Sequence, residues 1–242
     1  MRLYQGGCSF LLNPDIFIDT CLSEYFGKNL ININNCVGGS SNTQIFRKAF
    51  FSIMKSNFDF VIIGWSQCWR DDKSMPYHII DKNTEIDLLS ESYSDVLKTH
   101  INYEMIYPNN ELKNYCKFEP QATDDVISYT IILQNLLKSK NIPHLFLTMG
   151  ENNLKTLNSR LGWLEMIDSK NYYGRGNIIE KMNHSITKYF QKKHIEEGYG
   201  NHYNYSMDSI GYIRDEGSHL NNNAKHILAK NIMEYLLENK IV

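Results

Sequence analysis

An α/β domain built on a mainly parallel sheet is the fold class that this sequence predicts, and three observations predict it. Strand-like and helix-like segments alternate along the chain. One of them, Phe58 to Gly64, is almost wholly apolar, as a strand covered on both faces must be. Proline and glycine punctuate the segments in the order that helix ends require: Asn13-Pro14-Asp15 precedes one helical pattern and Gly27 follows it.

The elements follow in order. Leu3 to Gly7 reads as a first strand, and a helix runs from Asn13-Pro14-Asp15 to about Phe26. Leu30 to Asn34 is a second strand. Gly38-Gly39-Ser40-Ser41-Asn42 makes a turn into a helix from about Thr43 to Ser56, and Phe58 to Gly64 is the central strand. From Arg70 to about Gln121 the chain is polar and aromatic without a sustained period. Roughly fifty such residues read as an insertion rather than a connection. Thr123-Asp124-Asp125 is expected to cap the next helix, in which Val126, Thr130, Leu133 and Leu137 share one face. His144 to Met149 is a further buried strand. A second polar interval, about 151–202, contains at least one helix near 176–193. Asn221 or Asn222 caps a last helix whose Leu228, Ile232, Tyr235 and Leu236 lie on one side.

The totals narrow the function. A chain of 242 residues can bury one full core, and no repeat or linker divides it, so a single domain over 1–242 is expected, with insertions at about 70–121 and 151–202. A net charge of -2 gives no electrostatic reason to bind nucleic acid or an anionic membrane. No apolar run reaches the length that spans a bilayer. No secretory signal is visible, so synthesis in the cytoplasm is the expectation. The cysteines at 8, 21, 36, 68 and 116 have neither disulfide nor metal spacing, and neither do His184, His194 and His202.

Two short stretches carry the chemistry. Gly7-Cys8-Ser9-Phe10 closes the first strand, and Glu216-Gly217-Ser218-His219-Leu220 precedes the last helix. A serine at the C-terminal end of a parallel strand lies where open α/β sheets bind ligands. His219 can take its proton, and an acid beside His219 can hold the imidazole tautomer. The elbow G-x-S-x-G is absent, because Leu11 stands where its second glycine belongs. Paired carboxylates such as Asp71-Asp72 or Asp124-Asp125 suggest glycosidase chemistry, but nothing in the sequence places them across one site.

Four segments, in order, resemble the four blocks of the SGNH/GDSL hydrolase superfamily. Gly7-Cys8-Ser9 resembles the nucleophile block, with Cys8 where aspartate is usual. Gly38-Gly39-Ser40-Ser41-Asn42 is similar to the second block, and Gly64-Trp65-Ser66-Gln67 to the Gly-x-Asn-Asp block, with Ser66 in the asparagine position. Glu216-Gly217-Ser218-His219 resembles the Asp-x-x-His block, with glutamate for aspartate. The wording, together with Arg70 after Trp65-Ser66, looks most like SGNH-like proteins encoded by bacteriophages and large viruses. The likeness covers roughly 1–70, 122–149 and 205–242.

This resemblance implies a three-layer α/β/α sandwich of the SGNH hydrolase type, flavodoxin-like in outline. It implies that Ser9 attacks an O-acyl ester, that His219 serves as general base and then general acid, and that Glu216 orients His219, with Asp215 as the rival acid. The oxyanion would be held by the amides of Ser9 and Gly39 (Gly38 being the alternative) and by Ser66 or Gln67. No metal or organic cofactor would be needed. Read from the residues themselves, Arg70 either binds an anionic or sugar substrate or pairs with an acid in its loop, and Trp65 either joins a sugar-stacking aromatic wall or packs on its own domain. The implied substrate is a small-molecule or glycan ester, foremost an acetylated carbohydrate. Another class of function fits the same blocks: a non-catalytic structural or glycan-binding component of a virus particle. Association with a virion or with further copies of the chain is left open.

Overall fold

The computed structural model describes residues 1–7, 30–36, 41–66, 119–150, 152–199, 210–213 and 220–241. Strand β1 (Arg2–Gly6) is followed by β2 (Ile31–Asn34), helix α1 (Asn42–Lys55) and β3 (Phe60–Trp65). Helix α2 (Glu119–Ser139) then leads to β4 (His144–Thr148). Four short helices come next: α3 (Leu154–Ser159), α4 (Leu161–Leu164), α5 (Ile178–Asn183) and α6 (Ile186–Glu196), with a 3-10 turn at Ser169–Asn171. Helix α7 (Asn222–Glu238) comes last.

The four strands pair in the order β2-β1-β3-β4, and every pairing is parallel. Register assigns the faces, because paired residues in a parallel sheet point the same way and neighbours along a strand alternate. Tyr4 pairs with Val61 and Val61 with His144; Ile63 pairs with Phe146, and Trp65 with Thr148. That face is buried, and so is the opposite one, with Leu3, Gln5, Phe60, Ile62, Leu145 and Leu147. A sheet buried on both faces has layers above and below it, the α/β class expected of the sequence. Each fully buried Leu, Ile or Val adds about 1.5–3 kcal/mol of transfer free energy. Gly6 keeps the first face close. A Cβ there would lie 3.0 Å from Tyr4 Cε1 and 3.1 Å from Ile63 Cδ1.

Helix α1 begins at its expected turn, where the Ser41 hydroxyl accepts from the Gln44 amide at 3.2 Å. It buries Asn42, Ile45, Ala49 and Ile53, a stripe at helical spacing. Phe46 stacks on Tyr129 of α2, with ring centroids 4.3 Å apart. At the far end Lys140 Nζ donates to the Ile53 carbonyl at 2.7 Å, pairing a cation with the negative end of the helix.

Helix α2 starts earlier than the sequence suggests. Its first residue is Glu119, so Thr123-Asp124-Asp125 lies inside the helix rather than at its cap. Pro120 stands in the first turn, where the missing amide costs nothing. Thr123 is buried, and its hydroxyl accepts from the Asn153 amide at 3.1 Å. The predicted stripe of Val126, Thr130, Leu133 and Leu137 is buried in full. The polar interval after β4 is more helical than its composition suggests. Its small polar residues are caps: Asn153 starts α3, Asn177 with Glu180 forms a capping box on α5, and Ser185 starts α6. Asn221 caps α7, which buries Leu228, Ile232 and Leu236. Tyr235 fastens that helix to the 3-10 turn, donating to the Tyr172 carbonyl at 2.6 Å and accepting from Lys181 Nζ at 2.8 Å. Among the described residues no helix is long and apolar enough to cross a membrane.

His144 opens β4 as a buried neutral group. Its Nδ1–H donates to the Ile142 carbonyl at 2.9 Å, and Nε2 accepts from Asn171 Nδ2 at 3.3 Å. Burial, the dominant cause, holds its pKa below the ordinary value. On acidification the unfolded chain therefore binds the proton first. The stability contributed by neutral His144 is complete above about pH 6.5 and is lost as the pH falls through the lower folded-state pKa. In urea unfolding measured from pH 7 to pH 5, the wild-type free energy should fall more steeply than that of His144→Gln. Equal slopes would refute this assignment.

Candidate functional site

Because all four strands run the same way, β1, β2, β3 and β4 all leave the sheet at one edge. In sequence, Gly7-Cys8-Ser9 follows β1, Gly38-Gly39 follows β2, and Ser66-Gln67 follows β3. That C-terminal edge is where α/β sheets bind ligands, and Ser66 is the described candidate residue that lies on it. Of the residues singled out from sequence, Trp65 and Ser66 are described by the structure. Ser9, Gly38, Gly39, Gln67, Arg70, Asp215, Glu216 and His219 lie outside the described residues.

Ser66 ends the central strand at 1% exposure. Its amide donates to Asn42 Oδ1 at 2.7 Å, and Asn42 Nδ2 donates back to the Ser66 carbonyl at 3.4 Å. One buried side chain on the first turn of α1 thereby satisfies both backbone groups of the residue that follows β3. The Ser66 hydroxyl itself is buried and has no hydrogen-bond partner among the described residues. A hydroxyl so placed is unusual, since a buried polar group without a partner costs about 1–3 kcal/mol. Trp65 points to the other side. Its indole is fully buried, stacks parallel to Phe146 with centroids 6.3 Å apart, and leaves Nε1 unpartnered.

The fourth segment is held at both ends. Ile213 and Leu220 form an antiparallel bridge, so Asp215, Glu216 and His219 fall within a short stretch whose two flanks are joined. On one side, His194 of α6 accepts at Nδ1 from the amides of Tyr212 (3.0 Å) and Ile213 (3.4 Å), which places its ring proton on Nε2. The Tyr212 hydroxyl donates to Glu197 Oε2 at 2.7 Å, and Lys193 Nζ lies 4.6 Å from the Tyr212 ring centroid. The Glu197 hydrogen bond holds the Tyr212 pKa above its usual value. On the other side, Asn221 and Asn223 both donate to the Gly211 carbonyl, at 2.9 and 3.0 Å, while Asn221 Oδ1 caps α7.

Gly211 is required twice over. Its φ of +80° lies in the left-handed region, and a Cβ would stand 2.6 Å from His194 Cε1 and 2.9 Å from Tyr199 Cδ2. Asn42, His194 and Gly211 brace the backbone next to the candidate segments, and sequence reading does not find these contacts. Asn42 reads as the end of a glycine-serine turn, and its partner lies 24 residues away. His194 has no motif around it, and Gly211 carries only the generic signal of a turn. Among the described residues no cluster of three or more His, Cys, Asp or Glu side chains is arranged to hold a metal ion.

No protein-family model matches the chain, and no curated protein matches it. Its backbone is similar to that of several solved structures. One is an acetyl xylan esterase, AlAXEase (13% identity, TM-score 0.45, spanning 97% of this chain and 98% of that one). Another is the psychrotrophic esterase EstA from Pseudoalteromonas sp. (10% identity, TM-score 0.46, 98% and 97%). A third is a lipolytic protein of the G-D-S-L family from Desulfitobacterium hafniense DCB-2 (9% identity, TM-score 0.43, 97% and 99%). TM-scores below one half do not define a fold by themselves; the α/β class rests on the parallel sheet.

Asn42→Ala should cost about 1–3 kcal/mol in urea unfolding, because it strands the buried Ser66 amide. Gly211→Ala should cost at least as much, through backbone strain and displacement of the His194 ring. A loss below about 0.5 kcal/mol in either variant would contradict the contact assigned to it.

Proposed function

We propose that this chain is a serine ester hydrolase of the SGNH type, acting on O-acyl esters and foremost on acetylated carbohydrate. The observation that supports this most directly is the Ser66 hydroxyl, a buried donor without a partner among the described residues, just after the central strand at the C-terminal edge of the sheet. A donor left unused by the protein is what a developing oxyanion requires. Asn42 holds its backbone, so the hydroxyl needs little reorganisation when charge forms.

In the proposed reaction His219 takes the proton from Ser9 Oγ as the oxygen bonds to the ester carbonyl carbon. The carbonyl oxygen becomes the oxyanion, stabilised by the amides of Ser9 and Gly39 and by Ser66 or Gln67. Collapse breaks the bond to the alcohol oxygen, which leaves with the proton from His219. Water, deprotonated in turn by His219, then releases the acid and restores Ser9. Glu216, or Asp215 beside it, keeps the imidazole in the tautomer that faces Ser9.

A second reading rests on the same atom. The Ser66 hydroxyl is sealed from solvent as well as unpartnered, which favours a non-catalytic module, such as a structural or glycan-binding part of a virus particle. Fluorophosphonate labelling separates the two. The catalytic reading expects wild type to be labelled and Ser9→Ala to be silent, with acetate released from acetylated oligosaccharide by wild type alone. It also expects Ser66→Ala to lower turnover, by up to the 10²–10³-fold typical of a lost oxyanion donor. Wild type that neither reacts with the probe nor releases acetate would refute the hydrolase and leave the binding module.

A further inference from the structure

A cavity lies outside the predicted triad, between α2 and the pair α3–α4. Asp124, Ser159, Arg160, Gly162 and Trp163 line a shallow, solvent-open depression of about 340 Å³. Its position follows from the topology. Asp124 stands in the second turn of α2, whose other end feeds the start of β4, and α3 begins just after β4 ends. The Asn153 amide, which donates to Thr123, joins the two. The cavity therefore opens at the same edge of the sheet as Ser66.

Its wall and its rim call for different chemistry. Trp163 is 49% exposed on a helix of four residues, so part of a large, flat apolar surface faces the cavity. Opposite it, Arg160 grips Asp124 with two parallel hydrogen bonds, Nε to Oδ1 at 2.7 Å and an Nη to Oδ2 at 2.9 Å. That fork locks the rim geometry and cancels its charge, so the cavity has no net attraction for an anion or a cation. The fork still offers guanidinium hydrogens and carboxylate lone pairs, and beside them lies the Ser159 oxygen, which donates to the Thr156 carbonyl at 2.8 Å, accepts from Arg160 Nη1 at 3.4 Å and keeps acceptor capacity. Between wall and rim stands Gly162, where an added Cβ would meet nothing within 4 Å. Gly162 itself is exposed, so a side chain added there would project into open space.

We propose that this cavity is a binding subsite for a neutral carbohydrate ring, stacked by its C–H face on Trp163 with its hydroxyls on the Asp124–Arg160 fork and Ser159. A pyranose presents both surfaces at once, an apolar face and a rim of donors and acceptors. A flat aromatic ligand would use the indole and leave the fork idle, while a charged ligand would find its counterpart already neutralised. The subsite rests on these five residues alone and holds whether or not Ser9 reacts.

The test uses the full chain and unesterified oligosaccharides, so that it is independent of catalysis. Titration calorimetry with xylohexaose, cellohexaose and chitohexaose should show binding of at least one, and polygalacturonate should bind more weakly than the best neutral glycan. Trp163→Ala should weaken that binding by about tenfold or more, the scale of a central aromatic anchor. Gly162→Gln should do the same by filling the space, and its melting temperature should stay near wild type, because the new side chain meets no neighbour. The second variant guards against a Trp163→Ala protein that fails to fold. Lack of binding by all three neutral glycans up to millimolar concentration would overturn the proposal. So would binding unchanged in Gly162→Gln, or a preference for polygalacturonate. Self-association abolished by Trp163→Ala, without glycan binding, would reassign the face to contact between copies of the chain.

Discussion

The pairing of β1 with β3 is the constraint on which the rest of the structure depends. It joins Leu3 to Phe60 and Gly6 to Ile63 across more than fifty intervening residues and makes them run in the same direction. A parallel pair cannot be closed by a tight turn, so the chain between its strands must travel back over the sheet. Once that geometry is imposed, the residues after each strand emerge at one edge. Segments far apart in sequence then share one rim of the molecule.

Among the described residues, the polar contacts at that rim are specific. Asn42 satisfies both backbone groups of Ser66 from the start of α1, and Ser41 caps the same helix. The backbone after β3 is thereby pinned to the helix after β2, while the Ser66 hydroxyl remains unused. His194 and Gly211 play the corresponding part for the stretch between Ile213 and Leu220, one by accepting two successive amides and the other by making room for the imidazole. In both places a side chain of no obvious chemical role holds backbone that is adjacent in sequence to candidate functional residues.

The alternation of apolar runs with helical stripes was sufficient to read the four described strands and the helices at 42–55, 119–139 and 222–238, because burial on one face imposes a period that survives in sequence. It failed at the start of α2, where Thr123-Asp124-Asp125 looks like a cap and lies inside the helix, one turn after Pro120. It also understated the interval after β4. Helices of four to eleven residues, three of them with a polar side-chain cap, average out to the composition of a loop. At the candidate site Ser66 was legible as a position after a strand. Its bond to Asn42 was not, since nothing local marks which of many asparagines will be buried against it.

The sequence by itself determined the class of fold, the central strand and the order of four short blocks around it, because these depend on local pattern and on residue types at fixed spacing. Only the tertiary structure decided that Trp65 belongs to the core, that the Ser66 hydroxyl is left without a partner, and that Asp124 and Arg160 meet beside an exposed Trp163. Those outcomes turn on which polar atoms find one another across long stretches of chain. Hydrophobic periodicity carries no information about that choice, and packing makes it.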